Sequence, residues 1–248
     1  MPLLTNAHLG VFWNELGNDW LNVSDAPPLP LEREYFGSQR IWERLGNFRF
    51  QMTTAPSLRL QIKNSTGDRM IQVQNGVFCY NWLGNSGVEY ARYETIRAEF
   101  DKAFAQWSDF INRRNLGEIE VVQWEVTYVN HLPQGSVWTS PANWNDAFVS
   151  PIVLPSEVPA GIIESFSGKW DYMIAPERGR LHVEVHHARA NPDTAQEILA
   201  LQLTARGIVD GSKGWDLSSG LDLGHNCVVQ SFTALTSDRA HKTWEELP

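Results

Sequence analysis

The sequence predicts an α+β protein of two fused units, residues 1–117 and 118–248, each a curved antiparallel sheet packed on a long helix. Three observations carry this expectation. Short runs of period-two alternation are separated by turn signals such as Asn75-Gly76. Two later stretches, residues 93–114 and 220–247, switch to the 3.6-residue period of a helix. The order of elements in the second half also repeats that of the first, as β-α-β-β-β(-β)-α.

Near the start, Thr5 and Asn6 are N-cap residues for a short helix whose Leu9, Phe12, Trp13 and Leu16 recur on one face. Pro27, Pro28 and Pro30 then forbid a helix, and "SDAPPLPLERE" reads as an extended strap that buries Leu29 and Leu31. Four strand-like runs follow, Asn47 to Thr53, Leu58 to Lys63, Arg69 to Gln74 and Val77 to Leu83, which suit a four-stranded meander. Ile96, Phe100, Phe104, Trp107, Phe110 and Ile111 form the apolar stripe of the next helix. At about 1.5 Å per residue it is about 30 Å long, enough to cross a sheet.

The second half opens with a strand, "EIEVVQWEVTYVNHL", that places Trp124, Val126 and Tyr128 on one face and Gln123, Glu125 and Thr127 on the other. A short helix follows, with Ser140 at its cap and Pro141 at its first position. Strand-like runs near Ile162 to Ile174, Arg180 to His187 and Ile198 to Val209 lead to the closing helical region, with a second cap at Ser237.

The chain has 248 residues, 42% hydrophobic and 20% charged, as an ordinary globular protein does. A net charge of -9 without a basic run disfavours nucleic acid as a partner. Cys79 and Cys227 lie far apart in apolar surroundings, which gives no disulfide framework and no cysteine-based zinc site. "MPLLTNAHLG" lacks the pattern of a signal peptide and no apolar run is long enough to cross a bilayer, so the expectation is a cytoplasmic protein without a membrane partner. Eleven tryptophans imply a heavily aromatic core or an aromatic-lined cavity.

In "GRLHVEVHHA" the alternation puts His182, Glu184 and His186 on one side of a strand, the ligand types of a facial metal triad. Strand geometry opposes it: positions i and i+4 are about 13 Å apart at about 3.3 Å per residue. Ligands two residues apart would need His131, His225 or His241 to complete the set. The strand is read instead as the solvated face of a sheet, and no metal or other cofactor is assigned.

The loop "YNWLGNSGVEYARYE" joins a strand to a helix N-terminus, where Trp82 and Arg92 flank backbone N–H groups suited to an anion. Capping and packing, with Glu94 complementing the helix dipole, is the favoured reading. Trp124, Tyr128 and Asn130 share one strand face, equally a pocket wall or aromatic core with satisfied polar tips. The ligand-binding candidates are thus Trp82, Arg92, Trp124, Tyr128 and Asn130; no nucleophile elbow, Cys–His pair or catalytic carboxylate pair is evident.

Residues 69–110 resemble a sporadically distributed bacterial family of uncharacterised proteins of about this length. The resemblance rests on Ile71 to Gln74, Tyr80 to Trp82, Tyr90, Arg92 to Glu94, Trp107, Phe110 and the strand Glu125 to Leu132. "HLGVFWNEL" and "FTALTSDRAHKTWEEL" are similar to the family as well. It implies an opening strand before the first helix, whereas this sequence starts almost on the helix at Thr5: either the true start lies upstream or that strand is dispensable, and a sheet edge then exposed would invite pairing with a second copy. Position 91 is Ala where the family tends to have Pro. The element order is similar to helix-grip or TATA-box-binding-protein-like repeats.

The functional expectation is a non-enzymatic binding or interaction protein that recognises a protein partner or small ligand through aromatic-lined sheet faces. The family's patchy occurrence implies a dispensable or mobile role. The alternative is an enzyme, metal-dependent or otherwise, that uses the His-rich strand 182–187.

Overall fold

The computed structural model describes residues 3–36, 58–84, 91–149, 157–158, 161–190 and 196–245. The chain divides into two compact units, Met1–Arg33 with Arg44–Glu120, and Glu34–Glu43 with Val121–Pro248. It is mixed α and β, with a four-stranded antiparallel sheet in each unit.

In the first unit, helix α1 (Asn6–Leu16) follows Thr5 as N-cap and buries Leu9 and Phe12. The sheet order is β1-β2-β3-β4, from β1 (Asn22–Ala26), β2 (Arg59–Lys63), β3 (Arg69–Gln74) and β4 (Val77–Trp82). The first strand differs from expectation: Asn22–Ala26, at the head of the proline-rich strap, pairs antiparallel with β2. Its polar residues are mostly exposed, so a short edge strand leaves no hydrophobic alternation to read. The expected strand at 47–53 lies outside the described residues. Gln74 faces Val77 across the Asn75-Gly76 hairpin, with Gly76 at φ 87°, a conformation that glycine adopts without a Cβ penalty.

Helix α2 (Tyr93–Arg113, 21 residues) buries Ala103, Trp107, Phe110 and Ile111. They join Phe12, Leu60, Ile62, Ile71 and Val73 in one core, with the rings of Phe12 and Trp107 edge to face at 4.8 Å. Burying such a side chain stabilises by about 1.5–3 kcal/mol, so this stripe anchors the helix.

The second unit has β5 (Gln123–Pro133), a small hairpin of β6 (Glu157–Val158) and β7 (Gly161–Ile162), then β8 (Ser167–Ala175), β9 (Gly179–Arg189) and β10 (Glu197–Ile208). The main sheet runs β5-β10-β9-β8, so the last strand is internal. That position explains why Leu199, Leu201, Leu203 and Ala205 of β10 are buried.

Helix α3 (Leu217–Leu235) packs on β5 and β10. It is capped by Asp216, whose carboxylate accepts from the Ser219 N–H at 2.8 Å. Helix α4 (Asp238–Glu245) starts from Ser237, whose Oγ accepts from the Ala240 N–H at 3.0 Å. The short 3₁₀ helix Pro141–Asp146 follows Ser140 as expected. No helix among the described residues is long and apolar enough to cross a membrane.

Candidate functional site

Register fixes which side chains share a face of the second sheet. Trp124, Val126 and Tyr128 of β5 lie beside Gly207, Ala205 and Leu203 of β10, and these beside Gly179, Leu181 and Val183 of β9. This is the face that α3 covers. On the other face lie Gln123, Glu125 and Thr127, then Arg206, Thr204 and Gln202, then Arg180, His182 and Glu184, and finally Met173, Asp171 and Lys169 of β8.

A segment outside the sheet lands on that polar face. Glu34, whose side chain is only 3% exposed, pairs with Arg180, itself 6% exposed. Its Oε1 lies 2.6 Å from His182 Nε2 and 3.6 Å from Arg206 Nη1. The Glu34 N–H donates to Gln123 Oε1 at 2.9 Å, and the Tyr35 carbonyl accepts from Arg180 Nη2 at 3.1 Å. The Arg180 guanidinium also stands over the Phe36 ring, 4.9 Å from its centre. Three consecutive residues, Glu34 at the end of the strap and Tyr35 and Phe36 just beyond it, are therefore each held by the sheet.

His182 is the hub of this arrangement. Its Nδ1 is 2.7 Å from Asp171 Oδ1, and its Nε2 faces Glu34. An ionised carboxylate only accepts, so two such partners are both satisfied when the imidazole is protonated and donates from both nitrogens. Burial works against the charged ring, but its hydrogen bonds to Glu34 and then Asp171 outweigh it and hold the His182 pKa above its ordinary value. Beyond the hub, Arg206 Nε donates to Glu125 at 2.6 Å, and Lys169 pairs with Glu184, whose carboxyl Lys169 draws below the usual range.

These contacts change the reading of the His-rich strand. His182, 13% exposed, is not on a wet surface, because the strap covers it. His186 is half-exposed and lies 3.4 Å from Glu184. Among the remaining histidines, His225 meets Tyr128, His241 meets Thr236 at 2.6 Å, and His131 is two strands from His186, about 10 Å at about 4.8 Å per strand. Among the described residues no group of three or more His, Cys, Asp and Glu is placed to hold a metal ion.

The ligand-binding candidates separate. Trp82 and Arg92 belong to the first unit, and Trp124, Tyr128 and Asn130 to the second. Arg92 is the N-cap of α2, its carbonyl accepting from the N–H groups of Thr95 at 3.1 Å and Ile96 at 3.2 Å. The Trp82 ring folds over Gly84, where a Cβ would lie 2.9 Å from it.

Trp124 is 2% exposed and sits in a slot floored by Gly207, Gly220 and Gly224, which makes it a packing residue rather than a pocket wall. The Tyr128 hydroxyl is 3.0 Å from His225 Nδ1. Asn130 Nδ2 and Trp124 Nε1 are buried with no hydrogen-bond partner among the described residues. A shallow aromatic depression of about 20 Å³, room for about one water molecule, lies on the α3 side, lined in part by Trp144, Phe148, Trp170 and Tyr172.

Sequence reasoning missed Glu34, Asp171, Arg180 and Arg206. Asp171 and Arg180 carried a signal: a hairpin centred near residues 176 and 177 puts Asp171 opposite His182, and alternation puts Arg180 on the face of His182. Nothing local marked Glu34. Comparison with family models, curated proteins and solved structures finds no match for this chain.

Proposed function

We propose that this protein is a non-enzymatic binding or interaction protein that recognises a protein partner or small ligand through the sheet faces of its second unit. The observation that carries the reading is the fate of the His-rich strand. Both ring nitrogens of His182 are engaged by carboxylates, and the cations beside it are spent on the strap, which leaves this histidine no free nitrogen to act as a base. The polar face thus already works as a surface that grips an extended segment.

The residue pattern of the central block supports membership of the sporadic bacterial family, and a long helix on a four-stranded sheet in each unit supports a tandem repeat of helix-grip or TATA-box-binding-protein-like kind. A cytoplasmic location and a second copy paired through a sheet edge complete the reading. The test is a broad screen for hydrolase and transferase turnover with purified protein. No turnover is expected; turnover abolished by His182→Gln would overturn the proposal in favour of an enzyme that uses this strand.

A further inference from the structure

Only one protonation state of His182 suits both of its neighbours. Asp171 Oδ1 stands 2.7 Å from Nδ1 and Glu34 Oε1 stands 2.6 Å from Nε2, and all three side chains are largely buried. The imidazolium donates to each carboxylate. A neutral ring keeps a single N–H, so in either tautomer one nitrogen lone pair is left facing a carboxylate oxygen at hydrogen-bond distance. Burial screens that repulsion weakly, and one of the two contacts must open when the proton leaves.

The surroundings decide which contact opens. Asp171 lies directly opposite His182 in the β8–β9 register, where the sheet ladder fixes its main chain. Segment 34–36 lies outside the sheet and is held by the Glu34 carboxylate, the Glu34 N–H on Gln123, the Tyr35 carbonyl on Arg180 and the Phe36 ring under the same guanidinium. Among the described residues, the charged groups around the ring are Arg180 and Glu184 on its own strand, Asp171 and Lys169 on β8, Arg206 on β10, Glu125 on β5 and Glu34. Lys169 pairs with Glu184, and Glu125 with Arg206. Asp171, Arg180 and Arg206 have further interactions as well, so the sheet side of the arrangement does not depend on His182 alone.

We propose that the His182 proton is a pH-operated fastener for segment 34–36: the segment is seated on the second sheet while His182 is charged and loosens from it when the proton leaves, the sheet itself staying as it is. The coupling is reciprocal. The seated carboxylate of Glu34 helps to hold the proton on His182, and the proton therefore holds the seated segment by the same free energy. Because the folded pKa is raised, seating is firm at low pH and weakens as pH rises through that value. Arg180 still faces Glu34 after the proton has gone, which makes the change a loosening of this segment and not an unfolding of the unit.

Pulsed hydrogen exchange on the full wild-type chain at a series of pH values reads the seat directly, because the Glu34 N–H donates to Gln123 Oε1 at 2.9 Å. Each rate is divided by that of an unstructured chain at the same pH, and the His182 ring is titrated by nuclear magnetic resonance in the same samples. Protection of the Glu34 N–H is expected to fall at least about tenfold across the His182 titration, the size of roughly one charge-assisted hydrogen bond. Protection of Leu201, on the internal strand β10, is expected to stay unchanged. Asp171→Asn should flatten the Glu34 profile, since an amide can donate to Nδ1 while a neutral ring donates from Nε2 to Glu34. His182→Gln should flatten it as well.

Glu34 protection that holds steady through the titration overturns the proposal, as does a folded His182 pKa at or below its ordinary 6.5. A loss shared with Leu201 overturns it too, because the transition is then global. A pH dependence that survives in Asp171→Asn or in His182→Gln assigns the effect to another group. If one variant does not fold the other decides, and if neither folds the wild-type profile decides.

Discussion

Gly220→Ala sets helix propensity against packing, and the structure decides the sign. Gly220 lies in the first turn of α3, where alanine in place of glycine is favoured by about 1 kcal/mol on propensity alone. A Cβ there would stand 2.2 Å from Trp124 Cδ1 and 2.4 Å from its Nε1. The indole has no room to retreat, because Cβ positions built on Gly207 and Gly224 approach its other edge at 2.4 and 2.7 Å. Overpacking at a rigid site costs about 1–3 kcal/mol, and contacts this short belong at the upper end. Gly220→Ala is therefore expected to destabilise by about 1–2 kcal/mol net. In a Trp124→Leu background the obstacle is gone, and the same substitution should stabilise by up to about 1 kcal/mol. Urea denaturation followed by circular dichroism over the four chains of the double-mutant cycle measures the coupling, expected at about 2–3 kcal/mol. A stabilising effect in the wild type, or additivity within about 0.5 kcal/mol, would refute the slot described for Trp124.

Three further outcomes follow from individual contacts. His182→Gln removes a group whose folded pKa is raised above its ordinary 6.5, so its contribution is fully present below about pH 6.5 and lost as pH rises through the folded value; the stability gap between wild type and variant, from denaturation at a series of pH values, should narrow upward. Tyr128→Phe deletes the bond to His225 and should cost about 0.5–1.5 kcal/mol in the same assay, with no change in fold. In the first unit, burial and then the charge of Glu99, 3.1 Å from its hydroxyl, hold the Tyr80 phenol far above its usual range, so Glu99→Gln should bring its alkaline titration down in ultraviolet absorbance while loosening Arg69 by about 1 kcal/mol.

What the sequence made legible was whatever repeats along a single element. The stripe Trp107, Phe110 and Ile111 announces a helix and its buried face because helical period and burial coincide. The two faces of β5 were readable from alternation for the same reason. Strand order was not legible: β10 lies between β5 and β9, and no local pattern says which strand fills the middle of a sheet. Trp124 illustrates a further limit, since its role depends on glycines at 207, 220 and 224 that come from a strand and a helix far along the chain. Glu34 is the extreme case. It sits in a charged run, "LEREY", where a solvated side chain is the ordinary expectation, and its burial arises only from cations almost 150 positions away.

The strap is gripped in two chemically different ways, and the difference bears on what it can specify. In the first unit the Gln74 side chain pairs with the main chain of Leu29, accepting from its N–H at 2.8 Å and donating to its carbonyl at 2.9 Å. An amide that reads main-chain groups accepts any residue but proline, so this anchor sets position without selecting sequence. In the second unit the grip is on a carboxylate, and a buried ion pair contributes little net stability compared with an apolar replacement of the whole cluster. Its strong effect is on alternatives: removing one charge strands the others, at a cost of about 3–5 kcal/mol. Leu29 is thus replaceable as far as this anchor is concerned, while Glu34 is not.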